Sequence, residues 1–145
     1  MTLYNFHATI HARAPYWTAE RQQRLGAETY RALALESNQL DLPFPITFET
    51  ASERLLALDR MFCEPDGYFL WAGQWGDIAW QVDGHLYDRQ ERLLYVAIKG
   101  ACPAALFDDL LRTLGWPETA LVFQLTREGV ILPEDEFRRY ARRVP

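Results

Sequence analysis

From its first residues onward the chain alternates strictly: Tyr4, Phe6, Ala8 and Ile10 fall on one side, and Asn5, His7, Thr9, His11 and Arg13 on the other. A period of two is the mark of a half-buried strand. Residues 18–36 are rich in helix formers (Glu20, Arg21, Gln22, Gln23, Arg24, Ala27, Glu28) and predict a helix, although Gly26 costs about 1 kcal/mol in a helix interior. The prolines of Asp41-Leu42-Pro43-Phe44-Pro45 remove backbone donors and predict a connection. A second helix is expected over 50–62, where Thr50 and Glu53 fit a capping box ahead of Leu55, Leu58 and Phe62.

After the turn Glu64-Pro65-Asp66-Gly67 the text becomes β-rich, with strands expected at 68–71, 78–87 and 93–99 forming a meander. Pairing positions whose numbers sum to 180 sets Leu86 by Leu94, Val82 by Ile98 and Asp88 by Arg92 on a core-facing side. The other side then carries Gln81, Asp83, His85 and Tyr87 beside Lys99, Ala97, Tyr95 and Leu93, with Asp83 across from Ala97 and diagonal to Lys99. Pro103 opens a helix over 103–114 with the stripe Leu106, Phe107, Leu110, Leu111 and Leu114, and Gly115 closes it. Strands at 119–125 and 130–132 follow. Pro133 then starts a last helix whose acidic first turn (Glu134, Asp135, Glu136) and basic end (Arg138, Arg139, Arg142, Arg143) complement its dipole. The i,i+4 pairs Glu134–Arg138 and Asp135–Arg139 explain that basic cluster as a solvated helix face.

These elements predict a single α+β domain over residues 1–145: a mainly antiparallel sheet of four or five strands with helices mostly on one face. The composition agrees. Of 145 residues 49% are apolar and 24% charged, the proportions of an ordinary globular chain that buries a core without disulfides or a structural metal. The opening residues lack a signal-peptide pattern and no apolar run reaches membrane-spanning length, so the chain reads as cytoplasmic, with Cys63 and Cys102 reduced. Fourteen of fifteen basic residues are Arg, and only Lys99 is Lys, which suits a G+C-rich bacterial genome. A net charge of −5 speaks against polyanionic partners, so neither nucleic acid nor membrane is expected.

His7 and His11 have helical metal-ligand spacing, but four residues of strand span about 13 Å, so they read as two solvent-facing imidazoles and no metal or other cofactor is expected. Val96-Ala97-Ile98-Lys99 spells the tetrapeptide of the protein-kinase lysine on an expected strand, without the glycine loop or catalytic motifs that should accompany it. Helix, three antiparallel strands, helix and strand, in that order over residues 50–125, resembles the core of the PD-(D/E)xK nuclease superfamily. In that family an Asp on the second strand and an acid-x-Lys on the third hold Mg²⁺ and steady the attacking water or scissile phosphate. The resemblance implies roles for Asp83 and Lys99, and it departs at Ala97, where the second acid belongs.

Two function classes follow. The first is a noncatalytic binding or accessory domain that contacts another protein through Gln81, Asp83, His85 and Tyr95, or through the turn bearing Trp71, Trp75 and Trp80. The alternative is a metal-dependent phosphodiesterase, in degenerate form, with Asp83 and Lys99 as its catalytic residues.

Overall fold

The computed structural model describes residues 2–142 and is built around one strand, β1 (Leu3–Ala12), which lies inside the main sheet rather than at its edge. The sheet has seven antiparallel strands in the order β4-β5-β6-β7-β1-β8-β9. Beside β1 run β7 (Arg92–Pro103) and β8 (Leu121–Leu125); β4 (Met61–Cys63), β5 (Tyr68–Trp75) and β6 (Ile78–Arg89) complete one flank, and β9 (Ile131–Pro133) the other. The α+β class stands as expected, with seven strands in place of four or five. The extra ones are β1, expected as a strand but not given a place in the sheet, and the short strand Met61–Cys63, which begins within the helix expected over 50–62.

Three helices cover one face: α1 (Phe48–Leu56), α2 (Ala104–Thr113) and α3 (Glu134–Ala141). The inward side of β1 is buried at Tyr4, Phe6, Ala8 and Ile10, as its alternation predicts. Phe107 of α2 packs edge-on against Tyr4 at 5.4 Å, and Phe137 of α3 stacks on Phe123 of β8 at 4.1 Å. Pro103 is the N-cap of α2, and Gly115 follows its end with φ +102°, a conformation L side chains rarely adopt. None of the described helices is long and apolar enough to cross a membrane.

The helix expected over 18–36 is instead a hairpin, β2 (Glu20–Leu25) and β3 (Glu28–Leu33), followed by a 3-10 turn at Ser37–Gln39. Gly26, at φ +64°, opens the two-residue loop between the strands. The helix formers of β2 stay on the surface, while Tyr30 and Ala32 of β3 are buried, so packing overrides local propensity. The hairpin is tied to α3 by charge. Glu136 accepts the Arg31 backbone N–H at 2.6 Å and the Arg139 side chain at 3.2 Å, and the Arg139 guanidinium lies 4.0 Å over the Tyr30 ring. Of the two expected pairs along α3, Glu134–Arg138 forms, whereas Asp135 pairs with Arg31 of the hairpin and Arg139 with Glu136 and Glu28. Arg143, expected at the basic end of this helix, lies outside the described residues.

Helix α1 begins earlier than the capping box suggests. Thr47 is its N-cap, accepting the Thr50 N–H at 3.0 Å, so Thr50 sits inside the first turn, and the helix ends before Leu58 and Phe62.

The register of β6 on β7 follows a sum of 182 rather than 180: Asp83 pairs with Lys99, Leu86 with Val96 and His85 with Ala97. A two-residue slip preserves the faces. Val82, Leu86, Val96 and Ile98 are all buried as expected. Near the hairpin end a bulge leaves Leu94 unpaired between Tyr95 and Leu93, which reverses the two leucines: Leu93 is fully buried and Leu94 is not, and Asp88 faces Leu93 instead of Arg92. Leu93 is held there by backbone bonds with Phe44 and Ile46 of the proline-rich connection.

Candidate functional site

On the face opposite the helices, the paired strands line up side chains in rows. One row runs Phe62, Leu70, Asp83, Lys99, His7 from β4 to β1, and the next runs Tyr68, His85, Ala97, Thr9, Gln124 from β5 to β8. At the β8–β9 end this outer face is covered: Ala14, Trp17, Leu33 and Leu40 close over Val122 and Ile131. From β4 to β1 it is open, with Phe62 53% and Tyr87 39% exposed.

Four rings follow one another across this face, three along the open part and the fourth, His11, buried at the closed end. His85 meets Tyr87 at 4.5 Å, Tyr87 stacks on Tyr95 at 4.5 Å, and Tyr95 stacks on His11 at 5.4 Å. The two tyrosines are directly paired across β6 and β7. Burial, with Tyr87 nearby, raises the Tyr95 hydroxyl above its ordinary range. His11 is not solvent-facing: it is buried, its Nε2 is joined to Thr9 Oγ1 at 2.7 Å, and burial lowers its pKa to about 4. The closed end of the face covers the ring that strand alternation alone assigns to water.

Beside the ring row lies a shallow hollow of about 250 Å³, lined by His7, Thr9, Asp83, His85, Lys99 and Thr126. Burial first, then the charges of Lys99 and Arg127, lower the pKa of His7, so it is neutral at physiological pH. The Asp83 carboxylate accepts from Gln81 Nε2 at 3.3 Å and from the Tyr68 hydroxyl at 3.4 Å. Burial and the neighbouring Asp83 charge hold that hydroxyl above its usual range. Among the described residues no three His, Cys, Asp or Glu side chains come together to hold a metal ion. The position across from His85 is Ala97, so the hollow has one carboxylate and one ammonium where the nuclease pattern has two carboxylates and a lysine.

The expected site residues therefore divide. Gln81, Asp83, His85 and Tyr95 share the outer face with Lys99. Trp71 and Trp75 do not: they project to the helix side, where Trp71 is 3% exposed and packs edge-on against Trp80 at 5.0 Å. His7, His11 and Tyr68 join the outer group without being predicted as part of it. The alternation of β1 placed both histidines on one side, but only the pairing of β1 with β7 brings them next to Lys99 and Tyr95. Cys63 and Cys102 are both free, and burial pushes the Cys102 thiol up to about 12.

Compared with protein-family models, with curated proteins and with solved structures, the chain finds no match in any of the three.

Proposed function

We propose that this chain is a noncatalytic binding domain that docks another protein on the open outer face of its sheet. The observation that carries the reading is the row His85, Tyr87 and Tyr95, three rings in contact on a face that bears no α-helix among the described residues, with the buried His11 backing Tyr95 from the closed end. Tyrosine is the side chain that interfaces favour, because it offers a large rigid surface with a polar end at small entropic cost. Asp83 and Lys99 flank the row with opposite charges and would fix the partner's orientation more than its affinity. Phe62 and Leu70 extend the surface toward the β4 edge. The partner that suits this face is a protein segment with apolar anchors between charges of both signs.

A photo-crosslinking side chain placed at Tyr87, at Lys99 or at Arg112 on the helix side tests the reading. A single partner crosslinked from positions 87 and 99 and not from 112, and lost with His85→Ala while the melting temperature holds, is the expected result. Equal crosslinking from the helix side would overturn it.

The second reading, metal-dependent phosphodiester chemistry, is favoured by one observation: Asp83 lies directly across from Lys99 rather than diagonally. Titration with Mg²⁺ or Mn²⁺, followed by heat, separates the two. Binding at millimolar metal that Asp83→Asn abolishes would assign the hollow to a metal, and its absence removes this reading.

A further inference from the structure

We propose that the cavity between the first turn of α2 and the end of the β5–β6 hairpin is a binding site for a small, uncharged, planar aromatic molecule. It lies on the helix side of the sheet and does not depend on the outer face. The two strands run on past the helices there: β5 continues to Trp75 and β6 begins at Ile78, while α2 starts only at Ala104. Their inward positions Trp71, Trp75 and Trp80 thus line a cavity of about 620 Å³ that none of the described helices fills. Leu58 and Leu106 close its sides. That volume is in the range of sites that enclose small organic ligands, roughly 300–1,000 Å³.

The aromatic walls are set before any ligand arrives. Gly73 pairs with Trp80, and a Cβ on Gly73 would stand 2.4 Å from Trp80 Cζ2, so glycine is what allows the indole to lie across β5. The Trp71 indole N–H donates to the Asp59 carbonyl at 3.0 Å, which fixes that ring and leaves it no polar demand on a ligand. The two rings meet at 79° and are nearly buried against each other, so they form a rigid aromatic floor, while the half-buried Trp75 is the wall on which a flat ring can stack. The rim supplies charge of both signs. Asp59, Arg60 and Asp109 line it, and Asp109 is already paired with Arg112 at 2.9 Å. Such a rim selects neither cations nor anions, so the ligand class is neutral, with recognition resting on ring stacking and apolar burial.

The test uses the full chain and the neutral fluorescent probe N-phenyl-1-naphthylamine, followed by energy transfer from tryptophan. Saturable uptake at a single site is expected. Ala105→Trp, which fills the cavity from an exposed position on the first turn of α2, and Trp75→Ala, which removes a wall, should each weaken it by roughly tenfold or more. Tyr87→Ala on the outer face should leave it unchanged. Should Trp75→Ala melt early, Ala105→Trp carries the comparison alone. Uptake that does not saturate, or that Ala105→Trp leaves undiminished, overturns the proposal. So does a wild-type dimer that Ala105→Trp dissociates, since a second copy then occupies the cavity.

Discussion

Asp83 and Lys99 stand directly opposite each other on β6 and β7, both exposed, with Tyr68 and Gln81 sharing the carboxylate. Cross-strand pairs of this kind contribute about 0.2–1 kcal/mol. A double-mutant cycle with Asp83→Asn and Lys99→Met, followed by urea unfolding, should return a coupling in that range, with each single change costing less than about 1 kcal/mol. A much larger coupling would mean that the pair is desolvated and that the face is closed.

His11 makes stability depend on pH. The unfolded chain takes up a proton near 6.5, while the folded chain resists it until about 4, so between those values the unfolded state binds more protons and stability falls as the pH drops. The loss across the window is on the order of 3 kcal/mol, because each tenfold difference in proton affinity between the two states is worth about 1.4 kcal/mol. His11→Phe keeps a ring on Tyr95 and should flatten the dependence, at a cost of about 1 kcal/mol at neutral pH for the lost bond to Thr9. Identical pH profiles for wild type and variant would contradict this.

Glu136 acts in the same direction at lower pH. The Arg139 side chain, then the Arg31 N–H, hold its pKa below the ordinary glutamate value, against the opposing effect of burial. A depressed folded value means the stabilisation is complete above the ordinary glutamate range and is lost as pH falls through the folded value. Glu136→Gln should cost about 2 kcal/mol at neutral pH and progressively less in acid, read from chemical denaturation at several pH values. A cost that stays constant in acid would show that the charge is irrelevant.

Gly84 is held by sterics alone. A Cβ there would come within 2.0 Å of Phe69 Cζ, in a fully buried contact. Gly84→Ala should therefore destabilise by about 3 kcal/mol, the upper part of the usual overpacking cost. In a Phe69→Leu background the same change should cost about 1–2 kcal/mol less, because the smaller side chain yields. Equal costs in both backgrounds would move the clash elsewhere.

How much of this could be read from the residues depends on the distance over which each feature is decided. The alternation of β1, β6 and β7 is local, and the face of every side chain from Gln81 to Tyr87 follows from it even though the register is two positions off, because a shift of two keeps parity. The bulge at Leu94 has no local signal and exchanges Leu93 for Leu94. The hairpin Glu20–Leu33 is hidden for a different reason: its outer strand carries residues that favour helices, and only the burial of Tyr30 under Arg139 and against Tyr140 makes it extended. On the candidate face, Gln81, Asp83, His85 and Tyr95 come from one hairpin and are found together, whereas His7 and His11 arrive from the other end of the chain. Trp71 and Trp75 follow the inward parity of their strand, which a run apolar on both sides leaves undecided.

The central position of β1 also constrains how the molecule is made. Leu3 bonds opposite Pro103, and Ala12 opposite Leu121, so this strand leaves the ribosome long before either of its neighbours has been synthesised. Until then its apolar side is bare, an opportunity for chaperones, and closing so long a loop is a slow step.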